Sequence, residues 1–144
     1  MLLSSLLFSV CIFSCGPSRN ITAGSDITAL KGRWQLNYIS LPRIAFDGLY
    51  PGKKPVIVFE TGKKKISGNT SCNSFSGTFI VDGQTLKFAD HLITTKMACD
   101  GDGEMTFVQA LKKINRYDVT AGYTLTLLMD DVPMMRFTKV ARNL

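Results

Sequence analysis

Apolar and polar residues alternate along most of the chain after residue 30, in short runs separated by turn residues. A period of two is typical of β-strands with one buried face. Two of the runs flank Asp82-Gly83, a dipeptide that favours a tight hairpin turn. The pattern predicts seven or eight strands, drawn from residues 34–39, 56–59, 65–68, 77–81, 84–88, 117–120, 123–129 and 134–140.

One segment has the period of a helix instead. Its apolar residues recur every three positions, at Met105, Val108, Leu111 and Ile114. Lys112 and Lys113 fall on the opposite face, and Glu104 stands near the start, where an acidic side chain interacts favourably with the helix dipole. We therefore expect one amphipathic α-helix at about residues 103–115.

These elements predict an α+β fold for residues 31–144, which are enough for one domain with its own core. Strands joined by short turns pair as antiparallel neighbours, and such a sheet must cover its edges or close on itself. With one helix available, we expect a strongly curved antiparallel sheet or a partly open β-barrel, with the helix plugging or covering one side.

The N-terminal stretch has a different character. Residues 1–14 carry no charged side chain, and the apolar run is too short to span a bilayer as a helix. The tetrapeptide Ile-Phe-Ser-Cys that ends at Cys15 resembles a bacterial lipobox. We predict a lipoprotein signal peptide at 1–14, lipid attachment at Cys15 and a flexible tether at 15–30. Cys11 is less suitable for lipid attachment because the residue before it, Val10, is not small. The alternative is an ordinary cleaved signal peptide without a lipid.

An acylated Cys15 would make the membrane a partner of the domain. The tether has no acidic run of the kind found in some surface-exported lipoproteins, so we expect an outer-membrane lipoprotein that faces the periplasm. The formal net charge of +6 invites comparison with nucleic-acid-binding proteins, but an exported protein rarely meets nucleic acid, and we expect none as a partner. The basic cluster at 63–65 suits a solvated turn, or else contact with anionic lipid or an acidic partner.

Cys72 and Cys99 lie inside the predicted domain. In an oxidising compartment they are candidates for a disulfide, which would contribute roughly 3–4 kcal/mol by restricting the unfolded chain. Two buried free thiols are the alternative. A zinc site lacks ligands, because His91 is the only histidine and no C-x-x-C motif occurs. We expect neither a metal nor a cofactor.

Six short motifs, in this order, resemble those of the META domain family, the HslJ-like lipoproteins. They are G-x-W-x-L at 32–36, C-N-x-F-x-G at 72–77, T-x-M-x-C at 95–99, E-x-x-F at 104–107, GYTLTL at 122–127 and MRF at 135–137. Ser71 stands where the family usually has glycine, and the loop at 41–54 is long. The resemblance covers the whole predicted domain.

The resemblance implies a small β-rich domain with one helix, carried on envelope lipoproteins, in which Cys72 is bonded to Cys99. Members are linked to the heat-shock response, to novobiocin tolerance and, in parasites, to virulence and secretion. The fold is similar to that of a pilotin, a lipoprotein that binds the tail of a partner protein. The family has no established catalytic residues, so the resemblance assigns none to this chain.

Candidate catalytic groups are few. His91 lies beside Asp90 near a predicted strand end, where a surface or hydrogen-bonded role is commoner than catalysis. The acidic run from Asp100 to Glu104 lacks the glycine and glutamate spacing of an EF-hand loop, so it fits a turn and a helix cap better than a calcium site. Asn73 fits a turn cap better than a ligand contact.

The function favoured by these observations is that of a non-enzymatic, lipid-anchored cell-envelope protein, which binds a protein, a peptide or a lipid and supports envelope stress tolerance. One alternative is a small envelope hydrolase that uses Asp90, His91 or the carboxylates between Asp100 and Glu104. The other alternative is a structural spacer domain, which would have no concave apolar site.

Overall fold

The structure, a computed structural model, describes residues 26–40 and 44–141. The predicted signal peptide at 1–14, the predicted lipid attachment at Cys15 and most of the predicted tether lie outside the described residues. Within these two ranges, no helix is both long enough and apolar enough to cross a membrane.

In residues 26–40 and 44–141 the chain forms nine strands, three α-helices and one 3₁₀ turn. The strands are β1 (Gly32–Ile39), β2 (Val56–Glu60), β3 (Lys65–Asn69), β4 (Ser74–Asp82), β5 (Thr85–Phe88), β6 (Ile93–Thr94), β7 (Arg116–Thr120), β8 (Thr124–Met129) and β9 (Val132–Val140). The helices are α1 (Ile27–Leu30), α2 (Phe46–Leu49) and α3 (Gly103–Lys113), and the 3₁₀ turn is Thr61–Lys63.

Eight of the nine strands in the described part of the chain close into an antiparallel barrel. Their order is β3-β2-β1-β9-β8-β7-β5-β4, and the pairing of β4 with β3 completes the ring. The short strand β6 pairs with the start of β4 and lies outside the ring. The predicted α+β barrel is confirmed, and the ring is closed, whereas the sequence also allowed an open curved sheet.

Alternation along the strands places one face of each strand in a common core. In β1, Trp34 and Leu36 are fully buried, whereas the residues that precede each of them, Arg33 and Gln35, are half-buried. The indole N–H of Trp34 donates to the carbonyl oxygen of Leu30 at 2.7 Å, which ties α1 to the barrel. The hydrophobic pattern that predicts the strands therefore also predicts which side chains fill the barrel.

Helix α3 packs its apolar face into the same core. Phe107, Ala110 and Leu111 are at most 1% exposed, and the ring of Phe107 lies 5.8 Å from the ring of Phe75 in β4. The opposite face of the helix carries exposed lysines. The helix is amphipathic, as the sequence period predicts, and it closes one side of the core, but Met105 of the predicted apolar face is 55% exposed.

The barrel is weakest between β5 and β7. These two strands share a single register pair, Thr85 with Arg116, whereas β1 and β9 pair over most of their lengths. One backbone hydrogen bond on each side extends the seam: Tyr117 N donates to Gln84 O at 3.1 Å, and Leu86 N donates to Asn115 O at 3.0 Å. Beyond Leu86, the edge of β5 faces the C-terminal end of α3 instead of a strand.

The helix and the tether end at different positions from those predicted. Helix α3 stops at Lys113 and not at residue 115, because the backbone of Ile114 is extended, with φ −70° and ψ 134°. The predicted tether at 15–30 overlaps the fold, because Asp26 caps α1 and Leu30 is fully buried.

Three further elements lie where the sequence pattern predicts none. Helices α1 and α2 have four residues each, and β6 has two. Segments this short cannot display a hydrophobic period, so alternation does not reveal them. Helix α2 lies within the loop at 41–54 and places the buried side chains of Leu49 and Tyr50 in the core cluster.

Candidate functional site

A cleft opens where β5 leaves the seam and meets the end of α3. Its volume is about 380 Å³, which is within the range of small-ligand sites. One wall is the end of β5 and the turn after it, and the other is the last turn of α3 and its connection to β7. Its apolar lining consists of Phe88, Ala89, Leu92, Leu111 and Ile114.

Four charged side chains line the cleft: Lys87, Lys112, Lys113 and Asp90. All four are exposed. None of the ion pairs in residues 26–40 and 44–141 involves any of them. The lining therefore has an excess of positive charge that no carboxylate in the described chain pairs with, and an anionic group that entered would be attracted to it.

The helix dipole explains only part of this charge. Lys112 and Lys113 lie in the last turn of α3, where a cation interacts favourably with the negative end of the dipole. Lys87 lies on β5 and is not part of any helix. The positive rim therefore comes from two separate elements that the fold brings to one cleft.

A disulfide joins two segments near the other end of α3. Cys72 follows β3 and Cys99 precedes α3, and their sulfurs are bonded across a sequence separation of 27. The bond fixes the β3–β4 connection to the segment that leads into the helix. A loop of this length gives roughly 3–4 kcal/mol of stabilisation in the chain-entropy account.

Asn73, next to this disulfide, makes more side-chain hydrogen bonds than any other polar residue in the ranges 26–40 and 44–141. It is 3% exposed. Its Oδ1 accepts from Thr95 Oγ1 at 2.7 Å and from Met97 N at 2.8 Å, while its Nδ2 donates to Met97 O at 3.1 Å and to Glu104 Oε2 at 2.9 Å. The sequence predicted that this side chain caps its own turn. It bonds to the segment before α3 instead. Thr70 closes that turn.

Cys72, Cys99 and Glu104 have the composition of a metal site, since their ligand atoms lie within 4.8 Å of one another. The two sulfurs are bonded to each other, however, and a disulfide sulfur is not a thiolate ligand. Glu104 Oε2 lies 2.7 Å from Cys99 Sγ, which carries no proton to donate, and accepts instead from Asn73. This cluster is a structural junction between the turn and the helix.

The candidate catalytic residues are not brought together as a catalytic group. Asp90 lines the cleft, and its neighbour His91 is exposed and makes no hydrogen bond to a carboxylate in the described chain. Of the acidic run, Glu104 belongs to the disulfide junction, whereas Asp100 and Asp102 are exposed.

Two buried tyrosines have raised pKa values. The hydroxyl of Tyr50 donates to Gly103 O at 2.9 Å, and burial raises its pKa to about 12. Burial also raises the pKa of Tyr117, with an addition from the negative charge of Asp26. The Tyr117 hydroxyl has no hydrogen-bond partner among the described residues. Neither tyrosine lines the cleft, so both are structural groups that stay protonated at neutral pH.

The cleft itself was beyond sequence reasoning. The helical period assigns Lys112 and Lys113 only to the polar face of α3, and alternation assigns Lys87 only to a strand. No local signal connects residues 87–92 with residues 111–115, which meet because the barrel closes. The one usable signal is the concentration of lysine at the end of an amphipathic helix, which is common without a site.

Comparison with known families gives a match. The META domain model matches residues 26–141, which is most of the chain and includes both cysteines of the disulfide. A comparison with curated proteins gives no match.

Solved structures share the fold. An NMR structure of a protein from Burkholderia xenovorans has a TM-score of 0.61 and 21% identity, covering 97% of this chain and 100% of that chain. Another protein's NMR structure has a TM-score of 0.54 and 26% identity, covering 76% and 90%. The crystal structure of a DUF4847 family protein from Bacteroides vulgatus ATCC 8482 has a TM-score of 0.55 and 15% identity, covering 79% and 96%. With the family match spanning nearly all described residues, this chain belongs to the META domain family.

Proposed function

We propose that this chain is a non-enzymatic, lipid-anchored protein of the cell envelope, and that its barrel domain binds a ligand in the cleft between β5 and α3. The anchor is an acylated Cys15, which holds the domain on the periplasmic side of the outer membrane. Binding there supports tolerance of envelope stress, the setting that the family resemblance implies.

The observation that carries the proposal is the cleft. It combines an apolar lining with three lysines that make no ion pair in the part of the chain that the structure describes. An apolar cavity with a few convergent polar groups is the usual form of a binding site. A structural spacer needs no such concavity.

The hydrolase alternative has less support. A histidine base needs a partner that orients it and a nucleophile within hydrogen-bond reach. His91 is exposed and has neither among the described residues, although Asp90 beside it lines the cleft. The carboxylate of Glu104 is engaged by Asn73 at the disulfide junction.

Site-specific photo-crosslinking tests the cleft as the binding site. A photoreactive amino acid replaces Lys112 in the full-length chain expressed in Gram-negative cells, and the matched control replaces exposed Lys63 in the 3₁₀ turn. We expect a discrete adduct from position 112 that is absent from position 63 and that disappears when excess unmodified protein competes. The same adducts from both positions, or none from position 112, would contradict the proposal.

Intact mass measurement tests the anchor. We expect the mature chain to begin at Cys15 and to carry the added mass of acyl chains, and we expect Cys15→Ala to move the protein from the membrane fraction to the soluble fraction. An unmodified N terminus at another position would refute lipid anchoring. The same spectra before and after reduction report the Cys72–Cys99 bond as a change of two hydrogens.

A further inference from the structure

Resting on the proposed function, we infer that the ligand of the cleft is the C-terminal tail of a partner protein, bound as an extended strand on the free edge of β5 with its terminal carboxylate beside Lys87, Lys112 and Lys113. Three independent features of the cleft support this inference: unpaired backbone groups, a blocked end and the sign of the charge.

The edge of β5 that faces the cleft presents unpaired backbone groups. Ala89 N donates to Thr78 O on the β4 side at 2.9 Å, so in an alternating strand the N–H of Phe88 points the other way, into the cleft. Leu86 N donates to Asn115 O, but Asn115 N donates to Leu128 O and not back to Leu86.

As a result, the C=O of Leu86 and the N–H of Phe88 have no backbone partner among the described residues. A strand edge with unpaired donors and acceptors is a template for another strand. An extended peptide satisfies both groups at once, which is the basis of recognition by strand addition. An acyl chain would cover the edge and leave both groups unsatisfied, at a cost in binding free energy.

The edge is open in one direction only. Arg116 pairs with Thr85, and Asn115 accepts from Leu86, so the start of β7 occupies the edge up to Leu86. An added strand can lie beside Phe88 and the residues after it but cannot continue past Leu86. The ligand chain must therefore end, or turn away, at this point.

The charge around the blocked end selects the direction of the ligand. A strand antiparallel to β5 would bring its C terminus to Leu86, and a parallel strand would bring its N terminus. Lys112 and Lys113 are separated only by Ile114 from the residues that block the edge, Asn115 and Arg116, and Lys87 lies on β5 itself. Three ammonium groups against the single carboxylate of Asp90 favour a terminal carboxylate over a terminal ammonium group.

The apolar lining then accounts for the side chains of the tail. In an added strand, alternate residues point to the same side. One apolar side chain at or near the last position would contact Phe88, Leu92 and Ile114, which line the cleft. We expect the preferred tail to be β-branched or aromatic, to end in an apolar residue and to carry a free carboxylate.

Selection from a peptide library tests the inference without knowledge of the partner. The folded, oxidised domain is presented with random eight-residue peptides displayed with free C termini. We expect enrichment of tails with an apolar last residue. Resynthesised with a C-terminal amide, the best peptides should bind about tenfold more weakly, because a charge-assisted interaction with the lysines is lost.

An N-methyl scan of the enriched peptide distinguishes strand addition from a general apolar contact. Each N-methyl group removes one backbone donor without changing the side chain. We expect binding to fall at the alternate positions near the C terminus whose N–H groups face β5, and to be nearly unchanged at the positions between them and farther along the peptide, because β5 ends at Phe88 and offers few free acceptors. Equal effects at all positions would overturn the strand geometry. Amide exchange of Phe88 should slow when the peptide is bound.

Charge reversal supplies the matched protein variants. The pair Lys112→Glu and Lys113→Glu should weaken peptide binding by more than tenfold, whereas Lys63→Glu and Lys64→Glu, an equal charge change at the end of the 3₁₀ turn, should alter affinity less than twofold. Both pairs of positions are exposed, so folding is expected to survive, and circular dichroism checks this.

The outcomes separate this inference from the proposed function. Lauric acid is the competing probe, because it offers a carboxylate and an acyl chain without a peptide backbone. If lauric acid shifts the cleft resonances and no peptide is enriched, the cleft is a binding site and the peptide inference is wrong. If amidated and free-acid peptides bind equally, the tail assignment is wrong. If neither probe affects the cleft, both the inference and the proposed site fail.

Discussion

Asn73 uses both ends of its side-chain amide to hold a segment more than twenty residues away. Its two atoms bond both backbone groups of Met97, and it also reaches Thr95 and Glu104. Because the residue is buried, every one of these groups would need another partner if the amide were removed. One side chain thus determines the path of the chain from β6 into α3.

We predict that Asn73→Ala lowers the free energy of unfolding by about 2–3 kcal/mol, since buried donors and acceptors lose their partners. Denaturant titration of the oxidised protein measures the change. The control is Asn37→Ala, which removes an exposed amide bonded to Thr138 and should cost less than about 1 kcal/mol. Equal losses in the two variants would contradict the special role of Asn73.

Ser71 precedes the disulfide turn with a φ of 87°, a conformation that favours glycine. The META signature usually has glycine here, and the backbone conformation supplies the physical reason. We predict that Ser71→Gly raises stability by about 1 kcal/mol. Ser76→Gly, in the middle of strand β4, should lower it by roughly 0.5–1 kcal/mol because the added backbone freedom has no such compensation. Thermal unfolding of both variants provides the comparison.

At the scale of elements, α3 is fixed by close contacts at its first residue. A Cβ at Gly103 would lie 2.6 Å from Leu49 O and 2.9 Å from the ring of Tyr50, so only glycine allows α3 to approach the end of α2. The Tyr50 hydroxyl bonds Gly103 O from the same side. The disulfide junction next to this contact adds a covalent link, and together they hold the start of the helix while its end forms the cleft.

We predict that Gly103→Ala lowers the free energy of unfolding by about 1–3 kcal/mol, because backbone atoms cannot shift as easily as a flexible side chain. Gly52→Ala is the control, since a Cβ there meets nothing within 4 Å and the change should be close to neutral. Denaturant midpoints under identical conditions measure both. A neutral result for Gly103→Ala would mean that α2 moves freely away from α3.

The pKa of Tyr50 predicts a pH dependence. Its pKa is raised from 10.0 to about 12 by burial, so the folded state keeps this proton where the unfolded state loses it. The stabilisation is complete below pH 10 and is lost as the pH rises toward about 12. We expect urea titrations to show a steeper alkaline loss for wild type than for Tyr50→Phe, which should also lose about 1 kcal/mol at neutral pH with its hydrogen bond. Parallel curves would contradict this assignment.

At the scale of the whole molecule, ring closure is uneven. The β5–β7 seam has one register pair, while β8 and β9, like β1 and β9, are joined along most of their lengths. The domain nevertheless keeps one continuous core that includes Leu86 of β5, Tyr117 of β7 and Phe107 of α3. The same short seam that weakens the ring leaves the edge of β5 open, so the site and the weakest point of the barrel coincide.

Native-state hydrogen exchange tests the seam. We predict that the amides of Leu86 and Tyr117, which bond across it, exchange at least about tenfold faster than bonded amides of β1 and β9. The physical reason is that a seam with few bonds opens locally at a smaller free energy than global unfolding. Uniform protection around the ring would show that the barrel opens only as a unit.

Much of the fold was predictable because strands and the long helix have local signatures. Alternation around Trp34 and Leu125 and the period through Leu111 each identify an element from its own residues. Helices α1 and α2 are different, because a helix of four residues is too short to show a hydrophobic period. Contacts with the rest of the fold, such as the hydrogen bond from Trp34 to Leu30 O, hold α1 in place. The end of α3 also depends on the tertiary structure, because the backbone becomes extended at Ile114 and leads into β7.

The sequence by itself determined the α+β composition, the apolar face of each strand and the family, because these depend on residue type and spacing, and it made Cys72 and Cys99 candidates for a disulfide. Tertiary structure alone decided that the ring closes, that Asn73 serves the segment before α3 and not its own turn, and that lysines from β5 and α3 share a cleft. Those outcomes depend on distances between segments remote in the chain, and no period in the sequence encodes such distances.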